Sequence, residues 1–360
     1  MAGKRNNGIE LLRIVAMIMI VSHHILYHGG ILENVIPFTG TYKAAWLLDI
    51  ATACAVDIYG LISGYVGYET KHGIKRILRL YLQVIFYTLT ATVLFWIIRP
   101  ELVDWIVIRN AVFPFAYRTY WYYTAYFCLS FIMPFLDELT AALDRRKNRQ
   151  LLLALFVVTS VLTTVFGRDF AYTDRGYTFL WLAILYLAGA YIKKYDGEKK
   201  GERRHLAGYL LCTVFTWLTK MGVEQVIYSV EHTYRKFSLL MEYISPFIVI
   251  SAVCLVVAFK EMKCGDRLRK MASFWAPTSF DVYLLHDEPL VRDTFIIGAF
   301  AVWLAWNPAL MVLAVIGTAV GIFLIGSLAG RLRILIFRLL RVERFCEWVE
   351  ERTAVLFQRM

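Results

Sequence analysis

Four residues in the first apolar run, Gly8 to Tyr27, are of types that do chemistry: Glu10, Arg13, His23 and His24. A charge held in hydrocarbon costs about 3 kcal/mol or more, so such groups face a protein interior or a watery cavity and are presumed functional. At 100° per residue Glu10 and Arg13 are neighbours at i, i+3. Arg13 and His24 lie about 20° off one face and roughly 16 Å apart along the axis. Glu10, Arg13, Met17 and His24 therefore form one inward stripe, while His23 points roughly 80° away from it. An imidazole with an ordinary pKa near 6.5 suits general-base work. The structural alternative pairs Glu10 with Arg13 near the headgroups and leaves His24 capping the other end.

The elements that must position this stripe follow from composition. The 360 residues are 59% hydrophobic and 16% aromatic, with a mean hydropathy of +0.55, well above a soluble domain. The pattern predicts an all-α integral membrane protein of about ten transmembrane helices around a central pocket. The runs extend from Ile9–Tyr27 to Ala309–Ala329, and include Tyr177–Ile192 as the sixth and Phe274–Leu290 as the ninth. Of the Lys and Arg residues, 28 fall in the segments on the N-terminal side of the membrane and 9 in those on the opposite side. That bias places both termini in the cytoplasm and accounts for the net charge of +11 without nucleic acid. Lys4 and Arg5 before an apolar run imitate a secretory signal, but Glu10 and Arg13 interrupt its core, so the run reads as a retained span. Phe295–Trp306 and Trp105–Phe115 read as rim or re-entrant pieces. Residues 1–330 form the transmembrane domain, and 331–360, rich in arginine among apolar residues, an amphipathic basic tail on the cytoplasmic leaflet. The six cysteines suggest neither a disulfide framework nor a redox pair.

Further along the chain, Arg76 and Arg79 share a helical face and can fork onto a nucleotide's phosphates, or simply contribute positive-inside charge. Ser63, Gly64 and Tyr65 end the second run; the two small residues let either a partner helix or a thin ligand arm approach the backbone. Trp121 and Tyr122 open the fourth run, as a headgroup belt or as rings for stacking on a sugar. His286, in the unusually polar ninth run, either orients a substrate or satisfies a buried acceptor. Gly189, Lys220 and Glu242 stand out without a stated role. His24 and His28, at i, i+4, lack a Cys or carboxylate partner at matching depth in the sequence, so no metal is expected. Nucleotide-binding, serine-hydrolase and zinc-protease motifs are absent.

Taken together, Arg13-x10-His24, the Ser63-Gly64-Tyr65 end, Lys75-Arg76-x-x-Arg79, Trp121-Tyr122-x-x-Ala125-Tyr126 and Tyr283-Leu-Leu-His286 resemble, in order, the motifs of the membrane-bound acyltransferase-3 family, in its polysaccharide or cell-surface O-acetyltransferase-like branch. Ile58-Tyr59 replaces the family's usual Phe-Phe, and Asp287 and Glu288 are less usual there. The resemblance implies a multi-pass protein of the cell (inner) membrane that moves an acyl group, most simply acetyl, from cytoplasmic acyl-CoA to a hydroxyl of a cell-surface glycan, glycolipid or lipid-linked wall precursor. Acetyl-CoA is then the donor, held by Arg76, Arg79, Ser63, Gly64 and Tyr65. His24, Arg13 and Glu10 form the catalytic set, and Trp121, Tyr122 and His286 touch the acceptor. The bilayer is a partner, nucleic acid is not, and a homo-oligomer is compatible with the pattern. The competing readings are a transporter or flippase whose stripe lines a permeation path, and a regulatory module in which both histidines are dispensable.

Overall fold

The computed structural model describes residues 6–70, 72–195 and 201–358. Lys4, Arg5, Lys71, Lys199, Lys200 and Arg359, which contribute to the charge bias, lie outside them. All regular structure among the described residues is helical.

Helix α1 (Asn7–Tyr27) starts where Asn6 Oδ1 accepts from the Ile9 amide at 3.1 Å, a standard N-cap. The Asn6 amide also donates to the Lys260 carbonyl at 2.9 Å, pinning the start of α1 to the end of α12 (Pro246–Glu261). After α1 the chain turns through Gly30, with φ of 82°, into the short α2 (Ile31–Asn34). Helices α3 (Gly40–Thr52) and α4 (Ala55–Gly67) run on as one crossing, followed by α5 (Ile74–Ile98) and the short α6 (Trp105–Val112) packed on it. The middle of the chain supplies α7 (Trp121–Ala142), α8 (Arg145–Phe156) continued through a π-helical turn into α9 (Thr163–Phe166), α10 (Phe179–Lys194) and α11 (Glu202–Glu231). After α12 come α13 (Asp266–Trp275), α14 (Ser279–His286), α15 (Pro289–Phe295), α16 (Pro308–Leu339) and α17 (Val342–Gln358).

Helix α1 is the axis of the bundle. Ile9, Leu12 and Ala16 join the buried cluster shared with α4, α10 and α12, while Met17, Val21 and Ile25 join the one shared with α3, α14 and α16. The loop after α15 closes over its far end: the Gly298 and Phe300 amides donate to the His28 and Gly29 carbonyls at 2.9 and 3.0 Å.

Eight helical stretches among the described residues are long and apolar enough to cross a bilayer, so the chain is a multi-pass membrane protein. The sixth and ninth runs differ from the expectation of full-length spans. Helix α10 has 16 residues, about 24 Å, against a hydrocarbon core of about 30 Å. The ninth run breaks into α13, a 3₁₀ turn at Ala276–Thr278, α14 and α15, because Pro277 and the Asp287-Glu288-Pro289 step interrupt the helical hydrogen bonding. Helix α16 runs past the boundary drawn at residue 330 to Leu339, since no breaker lies there and Arg333 is drawn inward. The tail helix is α17 alone.

Small residues let α4 and α10 touch. A Cβ on Gly64 would lie 1.9 Å from the Tyr186 carbonyl oxygen, and one on Gly189 2.0 Å from that of Leu61. Gly64→Val is expected to force these helices apart and destabilise the protein by about 1–3 kcal/mol, read as a lower unfolding midpoint in detergent.

Candidate functional site

Three cavities run in file beside α1. The first, about 280 Å³, is lined by Arg13, Ser63, Arg76, Arg79, Gln83 and Tyr126 among others. The last, about 440 Å³, is lined by His23, His24 and His28 together with Trp121, Tyr243 and Asp287. Between them lies a throat of about 30 Å³, which shares Tyr59, Tyr122 and Phe280 with the Arg13 cavity and His24, Trp121 and Tyr243 with the other. One helix thus delivers an arginine to one chamber and a histidine to the next, as the eleven-residue spacing requires.

At the Arg13 end, the guanidinium lies 3.5 Å from Glu10, and the Tyr59 hydroxyl donates to the Arg13 carbonyl at 2.7 Å. Arg76 and Arg79 both line the chamber but differ in setting. Arg76 Nη2 donates to the Tyr126 hydroxyl at 3.0 Å, and its Nη1 lies 3.3 Å from His72 Nδ1. His72 Nε2 is in turn 2.9 Å from Asp137, whose other oxygen accepts from Tyr186 at 2.8 Å. Arg79 is half exposed and 3.7 Å from Glu343 of α17; the same carboxylate lies 2.9 Å from Lys75, which also reaches Glu347 at 2.8 Å.

At the His24 end, hydrogen bonding fixes the tautomers. His286 Nδ1 lies 2.7 Å from the Val282 carbonyl, which can only accept, so that nitrogen carries a proton. In the neutral ring Nε2 is then an acceptor, and His24 Nδ1, 3.0 Å away, must donate to it. Neutral His24 is left with an unprotonated Nε2, the form a general base needs. His286 thereby orients the His24 ring, while its own Nδ1 satisfies the buried Val282 carbonyl.

Sequence reasoning missed several members of this chamber. Asp287 supplies the carboxylate that seemed to be lacking near the histidines: its Oδ1 is 3.8 Å from His24 Nδ1 and 3.6 Å from Arg292. The donor atoms of His24, His28 and Asp287 all lie within 4.8 Å of one another, near enough that the three could share a metal ion. Arg292 also serves the carboxylate, and the contact with His286 occupies His24 Nδ1. His23, expected to point away, still lines the chamber's edge, with Nδ1 2.8 Å from Asp49 of α3. Only the unusual polarity of the Asp287-Glu288 step signalled any of this in the sequence.

The remaining sequence candidates divide. Ser63 lines the Arg13 cavity, whereas Gly64 and Tyr65 do not; Gly64 is spent on the contact with α10, and Tyr65 sits in the helix-packing core. Trp121 borders the His24 chamber, but Tyr122, about 100° further round the helix, faces the throat and the Arg13 cavity instead.

A buried clamp, also unforeseen, holds α14 and hence His286. Arg333 of α16 grips Asp281 through two bonds of 3.0 and 2.9 Å, and Gln83 and Tyr87 of α5 donate to the same carboxylate at 2.9 and 3.0 Å. The Tyr120 hydroxyl adds a bond to the Leu284 carbonyl at 2.8 Å.

No curated protein and no solved structure matches this chain. The family model for the acyltransferase domain of the acyltransferase-3 family, however, matches residues 6–328, which takes in every helix that lines the three cavities. The chain therefore belongs to the acyltransferase-3 family, and with its apolar helices it is a membrane acyltransferase.

Proposed function

We propose that this acyltransferase takes its acyl group, most simply acetyl, from acyl-CoA on the cytoplasmic side of the cell membrane and passes it to a hydroxyl of a cell-surface glycan, glycolipid or wall precursor on the other side. The observation that carries this reading is the file of cavities, with three arginines and no carboxylate lining one end and an oriented imidazole at the other. On this reading both termini are cytoplasmic, ten crossings are made by counting α10 and the broken α13–α15 segment, and the Arg13 cavity opens inward, in keeping with the positive-inside bias.

Arg76 and Arg79 hold the donor's phosphates at the inner mouth. The thin pantetheine arm enters toward Arg13 and the throat, where Tyr122 and Phe280 must swing aside to admit it. Arg13, steadied by Glu10, holds the donor from below as its thioester passes through the throat to His24. His24 Nε2 takes the proton of the acceptor hydroxyl as its oxygen bonds to the carbonyl carbon. The C–S bond breaks, and the imidazolium returns the proton to the leaving thiolate, so atoms and charge balance.

The test is mass spectrometry of surface glycans from cells with and without the gene, together with acetyl-CoA binding or slow hydrolysis by the purified protein. Loss of an acetyl adduct supports the reading. Protein that ignores acyl-CoA overturns it and favours a transporter. Arg76→Ala combined with Arg79→Ala is expected to weaken donor binding by about 10²- to 10⁴-fold, since charge-assisted bonds contribute about 1.5–3 kcal/mol each. Calorimetry with a non-hydrolysable acetyl-CoA analogue measures this, and unchanged affinity removes the role.

A further inference from the structure

The walls of the His24 chamber carry a chemical signature for the acceptor, and the inference drawn from it rests on the acyl-transfer reading. One wall is made of rings. Trp121 and Tyr243 lie nearly parallel, 18° apart with centroids at 6.0 Å, and Tyr177 packs against them at 4.5 and 5.0 Å. A surface of this kind suits the C–H face of a pyranose, which is apolar while its rim is not.

The charged groups around that wall do not balance. Arg175 lies 3.4 Å from Glu242, and Arg292 lies 3.6 Å from Asp287. Lys236, the third cation in the chamber, has no carboxylate partner among the described residues. Its ammonium lies over the faces of Tyr27 and Trp46, at 5.2 and 4.7 Å. Its position is nonetheless built, because the flanking residues are tied to a buried pair that the reaction does not use. The amide of Phe237 donates to Glu224 Oε1 at 2.8 Å, and its carbonyl accepts from Lys220 Nζ at 3.1 Å. Lys220 and Glu224 are themselves fully buried and paired, and Tyr42, which donates to Glu224, also bonds Tyr234 at 3.0 Å. A buried ion pair is a poor device for stability alone, and its best-attested use is to fix a register. Here it fixes the segment that presents Lys236.

We propose that the acceptor is an anionic sugar, bearing a carboxylate or a phosphate. Its ring lies along Trp121 and Tyr243, its charge pairs with Lys236, and one hydroxyl reaches His24. Lys236 is then the residue that selects the acceptor.

The test uses the full chain in nanodiscs with three probes, methyl glucuronide, glucose 1-phosphate and methyl glucoside. Binding is followed by saturation-transfer NMR, and acetyl transfer and acetyl-CoA hydrolysis are followed in the same samples. An anionic probe is expected to bind about tenfold more tightly than the neutral one. A preference for the glucuronide identifies a carboxylate as the source of the charge, and one for the phosphate ester a phosphate. Lys236→Gln is expected to bring the ratio of anionic to neutral affinity close to one, and Lys236→Arg to retain most of it. Equal affinities in the parent protein, or a ratio that survives Lys236→Gln, overturn the proposal even when acetyl-CoA is turned over. Absence of both transfer and hydrolysis overturns the acyl-transfer reading, and the acceptor with it.

Discussion

Replacing His24 by alanine is expected to lower acyl transfer about 10³-fold, within the 10²- to 10⁴-fold range of a positioned general base, while donor affinity stays near that of the parent. The split follows from the layout: His24 borders the far chamber and the throat, whereas the cations assigned to the donor line the near one. His286→Ala is expected to have the smaller effect, because it removes the acceptor that holds the His24 Nδ1 proton rather than the base itself. Steady-state rates with acetyl-CoA and any competent acceptor, alongside donor binding, measure both. A His24→Ala protein that transfers at the parental rate removes the imidazole from the chemistry.

The second large effect concerns stability. Asp281→Ala leaves the Arg333 guanidinium nearly buried with its carboxylate gone, and breaking such a pair from one side costs about 3–5 kcal/mol. The pair also has little room to relax, because a Cβ on Gly330 would lie 2.8 Å from that of Asp281, so the two helices are already in contact there. Unfolding in detergent followed by circular dichroism should show a large drop for the single variant. Asp281→Leu combined with Arg333→Met, which removes both charges, should recover most of it. A single variant as stable as the parent would show that the clamp does not hold α14. If the double variant is stable but slow, the clamp serves to position His286.

Much of the site was legible because it lies on one helix. The 100° step put Glu10, Arg13 and His24 on one stripe, and the same arithmetic applied to α7 separates Trp121 from Tyr122, although the sequence reading had grouped them. What the sequence did not disclose depends on contacts between distant segments. His24 meets His286 across 262 positions, and no local periodicity encodes that approach. The Asp287-Glu288-Pro289 step was visible as polarity, but reading it as part of a span hid its effect, which is to end α14 and start α15 with proline at the first helical turn. Gly64 shows the same limit: a small residue allows either a ligand or a helix to approach, and only the position of α10 decides between them. Lys220, conspicuous in the sequence, acquires a purpose only when Glu224 and the backbone of Phe237 are seen around it.

The throat sets what can pass between the two chambers. Its side chains, Met17, Tyr59, Tyr122, Phe280 and Tyr283 among them, leave room for about two water molecules. On the proposed layout the two chambers are parted by packed side chains, and anything passing between them must wait for those rings to turn.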